Sequence, residues 1–128
     1  MTKCEHAAAL RNDPDIHYNC AQSVLLPFAA DMGLTPEQAN ALALNFGGGM
    51  GCGSVCGAIT GALMAMGALG VPQEARLELL EQFERDHGAV NCAQLMVGLE
   101  HGTPERKAKC DRLVAYCTDY VCRLTENK

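Results

Sequence analysis

Apolar residues recur along the chain at helical spacing, and no stretch keeps up the alternation expected of a strand. A first helix is predicted over Lys3–Arg11, ending near the NDPD segment. Asn19 reads as the N-cap of a second helix that runs to about Asp31, kinks at Pro27 and stops at Gly33. In Thr35-Pro36-Glu37-Gln38 an N-cap threonine precedes a proline at the first helical position and a capping-box glutamine, so a third helix runs from there to about Phe46. The run GGGMGCG, Gly47 to Gly53, breaks the helical pattern. After it, Ser54 is expected to cap a fourth helix written VCGAITGALMAMGAL. A fifth, from Pro72 to about Asp86, sets Leu77, Leu80 and Phe83 against a charged face. Asn91 is expected to cap a short helix through about Leu99, and Thr103-Pro104-Glu105 opens a last helix to about Leu124.

These elements predict an all-α fold. It is a single-domain helical bundle of about five to seven helices over residues 1–128, with a Gly-rich loop before a buried central helix. No residue from Gln38 through Gln73 is charged, which raises the question of a membrane span. A span needs about 20 continuous apolar residues, and the glycine loop cuts this stretch short. Gly57-x-x-x-Gly61 therefore reads as a place where two helix backbones approach closely inside a water-soluble protein. The formal charge of −5 argues against nucleic acid or an anionic membrane as partner, and the lack of tryptophan leaves little for base stacking.

Eight cysteines in 128 residues change the picture. Met1 is followed by TKCEHAAALRNDPD, which has no apolar core of a signal peptide, so a cytoplasmic, reducing setting is expected. There, many cysteines point to metal binding or redox chemistry more than to structural bridges. The tetrapeptide Asn-Cys-Ala-Gln occurs twice, in YNCAQSV and in VNCAQLM. An asparagine N-cap would set Cys20 and Cys92 at the first position of their helices, where the helix dipole and free N–H groups favour thiolate. Cys56 follows Ser54 in a similar place, and Cys52 lies on the glycine loop itself. Cys110 and Cys117 share a face of the last helix with Leu113, Val114, Val121 and Leu124. Cys117 reads equally well as a small core residue, Cys122 falls off that stripe, and Cys4 reads as incidental. His17, His87 and His101 read as solvated, His17 being the best exception because it lies close before Cys20. The glycine run lacks the Lys-Ser/Thr of a phosphate loop, and no Cys-x-x-Cys pair is present.

The set YNCAQSV, FGGGMGCGSVCGAITGALM, NCAQLMVG and KCDRLV resembles the family of redox-active proteins named for the pattern C_GCAxxG_C_C. The resemblance runs from about Tyr18 to Val114 (residues 18–114) and, taken position by position, falls on Cys20, Cys56, Cys92 and Cys110, with Gly57 and Gly61 as the central glycines. This chain has Cys-Gly-Ala where the pattern has Gly-Cys-Ala, so Cys52 stands as an alternative to Cys56 in the central role. The resemblance implies a mostly helical domain with a redox role. A related domain in split-Soret cytochromes, which carry an iron–sulfur cluster beside haem, extends that expectation to a cluster.

The expected function is thus that of a small redox protein, with electron transfer through an iron–sulfur cluster held by Cys20, Cys56, Cys92 and Cys110. One alternative is a metal-free thiol–disulfide protein that uses Cys20 and Cys56, or Cys52, as redox-active thiols. The other is a helical binding module stabilised by zinc on the same four cysteines. Expected partners are a redox protein or a small thiol, and a homodimer is compatible with the sequence. Whether the chain is an enzyme is left open by its residues.

Overall fold

Three helices begin at reciprocal capping boxes. The computed structural model describes residues 1–125. Thr2 caps α1 (Lys3–Arg11) with Glu5, Asn19 caps α2 (Cys20–Leu25) with Gln22, and Thr35 caps α3 (Pro36–Ala43) with Gln38. In each box the cap side chain accepts the backbone N–H three residues on, and that residue's side chain accepts the cap's own N–H. After α3 come α4 (Gly57–Ala68), α5 (Ala75–His87), α6 (Cys92–Leu95) and the long α7 (Pro104–Thr125). The all-α bundle is as the sequence predicts: seven α-helices and no β-sheet among the described residues. None of these helices is long and apolar enough to cross a membrane.

Helix α4 is the centre. It packs against α2 on one side and α7 on the other, and α1 lies on α7. Its residues Ala58, Ile59, Ala62 and Ala65 are fully buried. The alanines and glycines of α4 trade side-chain bulk for close approach. A Cβ on Gly61 would stand 2.8 Å from the carbonyl oxygen of Ala21, so α2 lies directly on the α4 backbone there. Phe28, Ile59, Phe83, Leu113 and Val121 complete one continuous core, each apolar side chain contributing about 2 kcal/mol by its burial.

Several boundaries differ from the sequence reading, each for a local reason. Regular α2 ends at Leu25, well before Asp31, because Pro27 has no N–H to continue the ladder and the chain tightens to a 3-10 turn over Leu26–Phe28. Helix α3 tightens likewise over Leu44–Phe46. Ser54 does not cap α4. Val55 forms an isolated antiparallel bridge with Asn91 instead, and Cys56 becomes the N-cap. In α5 the fully buried positions are Leu79 and Phe83, whereas Leu77 is 58% exposed. Helix α5 closes at Gly88, whose φ of +90° is the left-handed value that glycine adopts readily, and its N–H returns to Glu84 O at 2.7 Å.

The first and last helices are joined by a buried cation. Arg11 Nε donates to Asp111 Oδ1 at 2.7 Å and its Nη1 donates to Tyr18 O at 3.0 Å, while Lys107 reaches the other Asp111 oxygen at 2.9 Å. Partial burial raises the Asp111 carboxyl, but the hydrogen bonds from Arg11 and Lys107 outweigh it and hold the group below the usual carboxylate range. A depressed carboxyl stabilises the fold above its unfolded pKa of about 4, and that contribution is lost as pH falls through the folded value. Arg11→Ala should therefore cost about 1–3 kcal/mol at pH 7 in urea titrations, and less at pH 3. An equal cost at both pH values would contradict the role given to Asp111.

Candidate functional site

The twin Asn-Cys-Ala-Gln segments fold in two different ways. In the first, Asn19 Oδ1 accepts from Gln22 N at 2.8 Å, and Asn19 Nδ2 donates to Leu44 O at 2.9 Å, tying α2 to the turn after α3. In the second, the Asn91 side chain makes no cap bond. That segment is held through its backbone: Cys92 N donates to Ser54 O at 2.7 Å, and Cys56 N to Val90 O at 2.8 Å. This short two-chain ladder sets the entries of α4 and α6 side by side. Both devices place a cysteine at a helix entry.

The loop before α4 is a left-handed turn. Gly48, Gly49, Met50 and Gly51 all have φ between 60° and 74°. A Cβ on Gly49 would run into the Ser54 backbone, so the loop folds back tightly against the residue that pairs with Cys92. Met50 is the non-glycine residue in this run and carries the strain of the left-handed region.

Cys20, Cys56, Cys92 and Cys110 line one cavity of about 470 Å3. Cys20 and Cys92 come from the starts of α2 and α6, Cys56 from the cap of α4, and Cys110 from the second turn of α7. Cys20 is the common neighbour, since its charge raises the thiols of Cys56, Cys92 and Cys110 alike. Gly57 makes this closeness sterically feasible: a Cβ there would collide with Cys20 Sγ and stand 2.8 Å from Phe46 O. Gly61, one turn on, lets the Ala21 carbonyl lie against α4.

Burial keeps the thiols of Cys56, Cys92 and Cys110 from being acidic. Burial pushes Cys56 up to about 12, the charge of Cys20 adds to this, and the Ala58 and Ile59 amides only partly oppose it. Burial, then the charge of Cys20, also raises Cys92 and Cys110, with Arg106 acting against both. The sequence expectation of dipole-favoured thiolates at Cys56 and Cys92 is thus corrected, because loss of water outweighs the first-turn N–H groups.

Among the remaining cysteines, Cys52 is exposed on the glycine loop, its thiol 3.5 Å from Gly49 O and away from the cavity lining. Cys117 is fully buried behind the site, with burial and the charges of Cys56 and Cys20 raising its thiol. Cys122 is 7% exposed, so it belongs to the core and is not the peripheral residue the helical stripe implied.

The cavity wall also holds residues that sequence reasoning passed over. Arg11, Arg106 and Lys107 line it together with His17 and His101, and among the described residues no Asp or Glu does. In a chain of net charge −5 this is a local excess of positive charge. Arg106 Nη1 donates to Leu99 O at 3.0 Å and Lys109 Nζ to Leu95 O at 2.6 Å, so basic residues of α7 also fasten the α6–α7 connection over the site. No local motif marks these residues. The one signal was the dense basic start of the last helix, ERKAKCDR.

No group of three His, Cys, Asp or Glu side chains among the described residues is close enough to hold a single metal ion. A mononuclear zinc site needs four ligands at about 2.0–2.3 Å, whereas a polynuclear cluster spreads its cysteine ligands wider. Four cysteines round one cavity, with positive charge on its wall, are the donor type that such a cluster takes.

The fold and site thus define an all-helical, cysteine-lined redox-type domain. Residues 18–124 match the family described as "Putative redox-active protein (C_GCAxxG_C_C)", and the chain belongs to that family. No curated protein and no solved structure matches the chain.

Proposed function

We propose that this protein transfers electrons through an iron–sulfur cluster held by Cys20, Cys56, Cys92 and Cys110, and passes them to a redox partner protein. The observation that carries this reading is the meeting of these four cysteines, far apart in the chain, on the wall of one cavity. When bound, such a cluster supplies one-electron oxidation and reduction. The chain's own residues supply the rest. Gly57 leaves room for Cys20 Sγ, the Ala58 and Ile59 amides favour the thiolate of Cys56, and Arg11 and Arg106 offset negative charge on the sulfurs. The raised thiols favour a ligand role over a nucleophilic one. A cluster held there would require the protons that burial retains to leave these thiols, so metal uptake would release protons and strengthen as pH rises.

Anaerobic reconstitution with ferrous iron and sulfide tests this. The expected product is brown, with iron and acid-labile sulfide in whole-number ratio to protein. Cys20→Ser should lower the iron retained on desalting by more than about tenfold, while Cys52→Ser leaves it unchanged. Iron retention that ignores Cys20→Ser would sink the reading.

The absence of a tight metal-ion grouping among the described residues favours a second reading, a metal-free thiol–disulfide protein. In it Cys20, partly exposed at the start of α2, attacks a small disulfide and Cys56 resolves the mixed disulfide. A colourless product in which Cys20 alkylates first of the four would select it. Uptake of one equivalent of zinc, with helicity lost on chelation, would select the zinc-stabilised module instead.

A further inference from the structure

We propose that Cys4 and Cys122 form a second redox site, a reversible disulfide that ties the first helix to the last. Helix α1 runs antiparallel along α7. Arg11, at the end of α1, meets Asp111 near the start of α7 at 2.7 Å. Cys4, two turns back from Arg11, then lies on the same α1–α7 seam as Cys122, three turns beyond Asp111, and each thiol acts on the other. Lys3, next to Cys4, is held by Asp31 at 2.7 Å, which fixes this end of α1. Neither cysteine lines the cavity around Cys20, and Cys4 lies outside the family match at residues 18–124. The pair therefore stands apart from the proposed cluster site and does not rest on it.

The oxidant required is a low-molecular-weight disulfide. Cys4, the more exposed of the two, attacks as thiolate one sulfur of the reagent, forming a mixed disulfide and releasing one thiol. The Cys122 thiolate then displaces the second thiol. The chain loses two protons and two electrons, and the reagent gains both as two thiols. Burial raises both groups, Cys122 to about 11 with the neighbouring Cys4 adding to it, so closure quickens as pH rises from neutral. Once closed, the bond spans nearly the whole chain, the arrangement that most restricts the unfolded state.

The test uses the full metal-free chain incubated with oxidised glutathione, quenched by alkylation and mapped by peptide mass spectrometry. The expected result is a linked peptide pair containing Cys4 and Cys122. Tm should rise by at least about 5 °C, and dithiothreitol should reverse the rise. Cys4→Ser should abolish both signals, and Cys20→Ser, which removes the cavity's central thiol, should leave both. Recovery of Cys4 and Cys122 only as separately alkylated or glutathionylated peptides, or of Cys122 linked to a different cysteine, would overturn the proposal. So would a Tm rise that persists in Cys4→Ser.

Discussion

Metal-free protein is expected to unfold between pH 9 and pH 12, within the range that burial opens around Cys56. The thiol is protonated in the fold up to about 12, whereas in the unfolded chain it ionises near 9. The folded state therefore holds the extra proton, and its stabilising effect is complete below pH 9 and gone by about 12. Across that range Cys56 alone accounts for roughly 4 kcal/mol, a large part of a typical total stability of about 5–15 kcal/mol. Cys92, Cys110 and Cys117 are raised as well, and so act in the same direction. Far-UV circular dichroism against pH reads the effect directly, and Cys56→Ala should move the transition to higher pH. Helicity that persists unchanged through pH 12 would show that the thiols reach water without cost. If the proposed cluster occupies these sulfurs, the titrating protons would be gone, and loaded protein should resist alkali better than the metal-free form.

Gly57→Ala is expected to cost about 3 kcal/mol, although alanine is the better helix former. The new methyl meets Cys20 Sγ and the Phe46 carbonyl, and the carbonyl is backbone held by its own turn. Helix α2 must then move off α4, and Cys20 moves with it. Gly67 provides the contrast. It lies in the same helix with nothing within 4 Å of an added Cβ, so Gly67→Ala should stabilise by about 0.5–1 kcal/mol. Urea denaturation of the two variants separates packing from propensity. If both shift in the same direction, the close approach at Gly57 is not what limits the site.

What could be read from the sequence was what local chemistry encodes. The Asn19 cap, the Thr35 capping box, the span of α1, the glycine break and the buried central helix are each written within a few consecutive residues, and each is present in the fold. The reading failed where a contact crosses the chain. Ser54 looked like a cap because its local pattern fits one, but pairing of Val55 with Asn91 holds that strand-like segment extended. Asn91 repeats the tetrapeptide of Asn19 without its cap bond and is held by its backbone bridge to Val55 instead. The basic wall of the cavity and the meeting of Cys4 with Cys122 depend on the α1–α7 register, which no window of sequence contains. That Cys20, Cys56, Cys92 and Cys110 belong together was reached through family likeness, while their high proton affinity followed only from burial.

The pairing of the first helix with the last has a consequence for biosynthesis. As the chain leaves the ribosome, α1 can meet α2 and the Leu26–Phe28 turn early but gains its main partner only when α7 emerges, and Cys110, the final wall of the cavity, arrives with α7. The vessel for any prosthetic group is therefore finished only once α7 has emerged. A product truncated before α7 would keep the cavity thiols of Cys20, Cys56 and Cys92 without the wall that Cys110 and the basic residues of α7 supply.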